Sequence, residues 1–260
     1  MGAVTLSAKD THRGSALADL RQSGALKALF PHPVSTALQA IMINTAGGIT
    51  GGDDFALTAS AGENAHLSLT TQAAERVYRA QPEQVATVTN RLFVGSGARL
   101  DWLPQETILF EASALNRRMH VELNEGASLL LVEPLVFGRA AMGETLEDIY
   151  FSDRIDIRRQ GRPIFLDAMT LRGDVTGHLA TPQIAANAGA MALIVYIDMD
   201  AEAKLAQLRT LLPETAGASL IAPDLLVSRI LATDSFVLRQ SLVPALRLLS
   251  NDTLPRSWMT

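Results

Sequence analysis

Over most of its first two thirds the chain alternates apolar and polar residues, and short glycine-containing turns interrupt the alternation at regular intervals. One unit recurs: an alternating segment, a turn, then a second alternating segment that often opens Ala-x-Leu-x-apolar. It reads FALTAS, AGEN, AHLSLTT around Gly62; ATVTNRLFV, GSG, ARLDWL around Gly95 and Gly97; and RMHVEL, NEG, ASLLLV around Gly126. A fourth copy, IYFSDRIDI, RRQG, RPIFLDA, turns at Gly161. Period-two alternation sends successive side chains to opposite faces of a strand, and glycine supplies the positive φ of tight turns, so each unit is expected to be a β-hairpin.

A hairpin alone cannot bury its apolar face. The turn glycines recur roughly every 30 to 35 residues, a spacing typical of stacked repeat units. The expected architecture is therefore mainly β: stacked β-hairpins forming a β-helical or sandwich-like body over about residues 35–180, with solenoid and sandwich both open. The last third, about 185–255, reads as a small α+β portion. MALIVYIDM (191–199) is an apolar run expected of a strand covered on both faces. AEAKLAQLRTLL (201–212) places Leu205, Leu208, Leu211 and Leu212 on one helical stripe, and GASLIAPDLLVSRILA is extended or mixed. DSFVLRQSLVPALRLLS puts Leu238, Leu242, Ala245, Leu246 and Leu249 on one helix face behind a capping Asp234, with Pro244 expected to kink it. Without a Pro/Ser-rich linker, this portion is expected to pack on the β body as one domain.

Composition narrows the chemistry. Zero cysteines exclude disulfides, thiolate nucleophiles, zinc ribbons and Fe–S clusters, so any metal chemistry must use oxygen and imidazole. A formal charge of −5 argues against nucleic-acid or anionic-membrane surfaces, and the cluster Arg154, Arg158, Arg159, Arg162 reads as a solvated strand face. The longest apolar stretch, Ala188 to Ile197, is half a bilayer span, and MGAVTLSAKD has no signal-peptide pattern or myristoylation Ser/Thr. A cytoplasmic location is expected. Mean hydropathy of +0.17 points to large apolar interfaces, with solubility dependent on a partner.

Three segments are candidates for function. Asn44 to Asp53 carries Gly47, Gly48, Gly51 and Gly52; it is neither a P-loop nor a dinucleotide fingerprint, and reads either as a strand crossover or as a loop shaped for a partner or an ion path. Each descending strand runs toward a carboxylate, at Glu75, Glu106, Glu133 and Asp167, and stacked units would bring these acids to equivalent corners lining one passage. Carboxylates are hard oxygen ligands that hold divalent ions loosely when few. The segment Glu133 to Glu144 reads as a loop with an apolar centre beside Arg139, either an interface anchor or a buried connection with Arg139 paired to a carboxylate. The five histidines form no i, i+4 pair, and no G-x-S-x-G elbow is present. One alternative from the residues is a carboxylate-dependent hydrolase on a β-helical body, two acids about 5 to 10 Å apart supplying acid and base.

NTAGGITGGD, LTTQAAERVYR, WLPQETILFEASALNRR and EPLVFGRAAMGE, in this order and at these spacings, resemble the urease accessory protein D family (UreD, called UreH in some organisms). The likeness runs from about residue 11 to the closing LPRSWMT; Ser15-Ala16 stands where the family pattern would place a Thr-Arg-like pair. The resemblance implies a non-enzymatic urease maturation factor, a chaperone that binds apo-urease and the F-type accessory protein, through which a G-type GTPase delivers nickel. It implies no tightly bound cofactor, only Ni(II) in transit through an internal passage. Carried onto matched positions, it points to Asp53, Glu75, Glu133 and Glu144 as transient nickel contacts. Thr70, Thr71, Glu106, Arg139 and Asp167, with the four loop glycines, are then binding residues.

Overall fold

The computed structural model describes residues 1–32, 35–139 and 142–259. Its strands are, in chain order, β1 (Gly2–Thr11), β2 (Gly14–Gly24), β3 (Leu26–Leu29), β4 (Leu38–Asn44), β5 (Asp54–Ala61), β6 (His66–Thr71), β7 (Glu75–Val77), β8 (Ala86–Val94) and β9 (Arg99–Leu103). They continue as β10 (Thr107–Leu109), β11 (Ala114–Leu123), β12 (Ser128–Phe137), β13 (Ile149–Arg159) and β14 (Arg162–Gly173). Helix α1 (Val175–Ala180) leads to β15 (Ala190–Ile197), α2 (Ala201–Leu211), β16 (Ala216–Ala222), β17 (Leu225–Ala232) and α3 (Ser235–Leu249).

The arrangement is a β-solenoid. A first sheet runs β14-β13-β11-β8-β5-β1-β2 and a second β16-β17-β15-β12-β9-β6-β4-β3, with β7 and β10 forming a short third side against β12. Within the first sheet, β1, β5, β8, β11 and β13 pair in parallel; within the second, so do β4, β6, β9 and β12. The hairpin expectation is corrected here for three of the four units. At Gly62, at Gly95 to Gly97 and at Gly126 the turn hands the chain from one sheet to the other, so its two strands face each other across the core and do not hydrogen-bond. Only the fourth unit, β13–β14, is an antiparallel hairpin.

The repeated Ala-x-Leu has a packing reason. Each turn closes with the same bond, Ala65 N–H to Gly62 O, Ala98 N–H to Gly95 O and Ala127 N–H to Asn124 O, at 3.0 to 3.3 Å. The turns then stack: Arg99 N–H donates to Ala65 O and Ser128 N–H to Ala98 O, both at 2.9 Å. Leu67, Leu100 and Leu129 fall on one inward ladder, fully buried. The alanines sit where adjacent turns leave no room for a longer side chain.

Strands extend beyond the expected body on both sides: β1 and β2 complete the first sheet, and β15 to β17 extend the second. Every residue of β15 is buried, as its unbroken apolar run predicts, because α2 and α3 cover the outer face of the second sheet. Helix α3 buries Leu238, Leu242, Ala245, Leu246 and Leu249 and runs unbroken through Pro244, with Asp234 Oδ1 accepting from Val237 N–H at 2.8 Å. On α2 the stripe is narrower than expected: Leu208 is buried, but Leu211 is exposed and Lys204 takes a buried position by bonding Tyr196 Oη and Asn251 Oδ1, each at 3.0 Å. No helix among the described residues is long and apolar enough to cross a membrane.

Two ion pairs tie the sheets together at the β14 end, Arg159 to Asp224 at 2.6 Å and Arg229 to Asp167 at 2.9 Å. Replacing the buried Ala98 by Leu is expected to lower stability by about 1–3 kcal/mol through overpacking of the stacked turns, read as a lower urea midpoint. A midpoint unchanged from wild type would show that the turns do not pack as tightly as described.

Candidate functional site

Two apolar cores fill the space between the sheets, one beneath the stacked turns and one at the opposite edge, around Ile49, Val77, Leu109 and Phe151. At the seam between them lies a cavity of about 90 Å³, largely apolar in its walls but reached by several polar and charged side chains. Its first-sheet wall includes Leu57, Asn90, Leu115 and Arg117; its second-sheet and third-side walls include Met42, Thr71, Glu75, Trp102, Gln105, Thr107 and Glu133. A surface depression of about 190 Å³, lined by Asn44, Gly47 and Arg76, shares Leu26, Met42, Thr71 and Glu75 with the cavity. Glu75 therefore stands where the outside meets the interior.

Glu133 is reached from β12 at the point where that strand changes partners. Residues 128–131 pair with β9 and 135–137 with β10, and Pro134, which has no N–H to donate, falls in the gap. The Glu133 carboxylate accepts from Trp102 Nε1 at 2.7 Å and pairs with Arg117 Nη1 at 2.5 Å. Arg117 also forks onto Asp153, its register partner on β13, at 2.9 and 2.6 Å, and donates to Thr107 Oγ1 at 3.3 Å. All three charged groups are buried. Burial drives Glu133 above the ordinary carboxylate range, with Asp153 adding to the push and Arg117 opposing it. For Arg117 burial works against the charge, but Asp153 and Glu133 outweigh it and hold the guanidinium firmly protonated.

Glu75 is less engaged. Asn44 Nδ2 reaches its two oxygens at 3.2 and 3.3 Å while also donating to Gly48 O at 2.8 Å. Desolvation pushes its pKa from 4.5 up to about 7, with the nearby Asp53 adding to the rise. Gln105 bridges outward: its Oε1 accepts from Arg239 of α3 at 2.8 Å, and its buried Nε2 has no hydrogen-bond partner among the described residues.

The structure brings Thr71, Glu75 and Glu133 together, with Gly47 at the mouth, and disperses the other expected residues. The equivalent-corner expectation fails by register. Glu75 pairs with Thr107, not Glu106, and Thr107 in turn with Leu135. One residue out of step puts a side chain on the other face, so Glu106 bonds Arg239 at 3.0 Å. Thr70 likewise bonds Ser257 Oγ at 3.1 Å, away from the cavity. Asp167 lies at the far end, on Arg229. Asp53 accepts from Thr50 N–H at 3.0 Å inside the glycine-rich segment, outside the cavity lining.

That segment is a crossover between β4 and β5. A Cβ on Gly48 would overlap the Tyr78 ring, and one on Gly51 would come within 2.7 Å of Gln84 O; Gly47 and Gly52 have positive φ. Glu133 to Phe137 is strand, not loop. Beyond it, exposed Arg139 pairs with Glu144 at 2.8 Å and covers the Phe110 ring at 4.4 Å, the paired alternative for this segment. Its Ala140 and Ala141, like the terminal Thr260, lie outside the described residues.

The expectations missed Asn90, Trp102, Gln105, Arg117 and Asp153. A signal existed for three of them: Asn90, Arg117 and Asp153 sit at inward positions of otherwise apolar alternation, beside Leu92, Met119 and Ile155. Among the described residues no three His, Asp or Glu side chains converge to hold a metal ion. The cavity itself is below the roughly 300 Å³ of ordinary small-molecule sites.

The architecture defines a non-barrel β-solenoid scaffold with an acid-lined internal seam. The whole-chain family model that matches residues 1–259 is that of the UreD urease accessory protein, and the chain belongs to this family. It is 59% identical to the urease accessory protein UreD of Ruegeria pomeroyi over 94% of this chain and 95% of that one. To the UreD proteins of Roseobacter denitrificans and a Ruegeria species it is 49% and 56% identical, over 99% of this chain and 94% and 89% of theirs. The family is one of accessory factors.

Two outcomes test the electrostatics. Arg117→Met, which strands two buried carboxylates, is expected to cost about 3–5 kcal/mol in urea unfolding; a loss under about 1 kcal/mol would mean that the pair is not buried as described. A carboxyl whose folded pKa is raised keeps its proton between pH 4.5 and 7 while the unfolded chain releases it, so its effect lowers stability as pH rises through that window. Glu75→Gln removes that effect, so its stability relative to wild type should improve from pH 4.5 to 7 and level off above. A difference independent of pH contradicts the assignment.

Proposed function

We propose that this chain is a maturation scaffold that binds apo-urease and the F-type accessory protein in the cytoplasm, and guides Ni(II) from a G-type GTPase toward the urease active site through the seam between its sheets. Family membership supports the maturation role. The passage reading is carried by one observation, that Glu75 lines both the outer depression and the inner cavity. Nickel is cargo here. Glu75 supplies an oxygen ligand at the mouth, Thr71 and Gln105 line the way with a hydroxyl and an amide, and Glu133 offers a second carboxylate inside. Because Arg117 and Trp102 already occupy Glu133, a cation exchanges with them and moves on. Oxygen donors without thiolate or an imidazole cluster hold a borderline metal weakly, which suits transit.

Glu75→Gln and Glu133→Gln are expected to lower urease activation under limiting nickel by about tenfold, the scale on which lost supporting groups act at metal sites. Copurification with apo-urease should stay at wild-type level. Full activation in both variants would remove the passage; failure of the wild-type chain to copurify with apo-urease would remove the scaffold itself.

A further inference from the structure

The outer face of the first sheet carries charge that the fold does not use. The three helices leave this face uncovered, and its outward rows are short side chains such as Ala56, Thr58, Thr89 and Ala168 interrupted by arginines. Arg21, Arg91, Arg118 and Arg154 are exposed and make no hydrogen bond or ion pair among the described residues. Arg118 and Arg154 are register partners across β11 and β13, and Arg91 is one diagonal away, opposite His120. Like charges directly opposed on neighbouring strands destabilise a sheet.

Carboxylates on the same face are bonded to other groups, although Asp156 also attracts the neighbouring His120 and Arg154. Asp156 is held by Arg158 at 3.0 Å, Glu122 accepts from Gly161 N–H at 2.7 Å, and Asp19 accepts from Ser7 Oγ at 3.1 Å. The patch is thus locally cationic in a chain of net charge −5. Its basic groups are arginines, which are enriched in protein interfaces where lysines are depleted, and Phe93, 39% exposed, lies among them.

We propose that this face docks an acidic protein surface, in which carboxylates meet Arg91, Arg118 and Arg154. Neighbouring strands place Arg118 and Arg154 about 5 Å apart, close to the roughly 5–6 Å between Cβ atoms at i and i+4 of a helix. The partner relieves the repulsion between Arg118 and Arg154, and Phe93 with the short Ala and Thr side chains gives it a flat seat. This goes beyond the passage reading, which uses the opposite side of the same strands.

The test uses the full-length chain and a fluorescent helical peptide carrying glutamates at i, i+4 along one face. Wild type should bind it with an affinity that falls as salt rises. Arg118→Glu with Arg154→Glu should weaken binding by at least about tenfold, while Arg13→Glu with Arg256→Glu, the same change in charge off this face, should bind as wild type does. Glu75→Gln should also bind normally, which separates this surface from the passage. Unfolding midpoints equal to wild type exclude a folding defect. No binding by wild type, equal losses in both double variants, or tighter binding of oligo-uridylate RNA or phosphatidylserine vesicles than of the peptide overturns the proposal.

Discussion

Parallel pairing is the constraint on which the rest depends. Two neighbouring parallel strands cannot be joined by a tight turn, so a chain that pairs β5 with β8, β8 with β11 and β11 with β13 must leave the sheet after each strand and return one rung later. The second sheet is that return path. The stacked turns at Gly62, Gly95 to Gly97 and Gly126 make the outward step, the segments around Val77 and Leu109 make the return, and the space enclosed between them becomes the core. Glycine in these turns and alanine just after them follow from the geometry of stacking.

A solenoid core can be filled entirely with apolar side chains, as this one is beneath the turns. The seam departs from that pattern. Asn90, Arg117 and Asp153 from one sheet meet Trp102, Gln105, Glu75 and Glu133 from the other, where a small cavity lies between two apolar clusters. Burying Glu133 and Asp153 together is tolerable because Arg117 lies between them. Removing water from charges costs several kcal/mol per ion unless partners and hydrogen bonds replace it, and here Arg117, Trp102 and Thr107 provide that replacement. For Glu75, burial outweighs the hydrogen bonds from Asn44 and the Arg76 backbone, and the carboxyl at the mouth is left with a raised pKa. A site built this way has strong internal pairing and one weakly committed carboxyl facing outward.

The two faces of the first sheet divide the work. Inward positions build the core and the seam; outward positions carry short side chains and arginines, four of which make no ion pair among the described residues. The second sheet is covered by α2 and α3 over β15 to β17, and Arg239 of α3 reaches to Gln105 and Glu106. The helix layer therefore supports the cavity wall from behind, while the first sheet keeps its outer surface available.

Alternation, turn glycines and the repeated Ala-x-Leu were enough to show a stacked β body, and the unbroken apolar run of β15 and the α3 stripe behind Asp234 were legible because they depend on local periodicity. Family motifs likewise pointed to Glu75 and Glu133. Strand pairing was not legible: an alternating pair around a glycine reads the same whether its strands hydrogen-bond as a hairpin or face each other across a core, and only the long-range register distinguishes them. That register then decided the site. It set Glu75 beside Thr107 and turned Glu106 toward Arg239, and it placed Arg117 opposite Asp153. A carboxylate's position along the chain is written in the sequence, but which face it occupies is set by the strand beside it, and a shift of one residue reverses the answer.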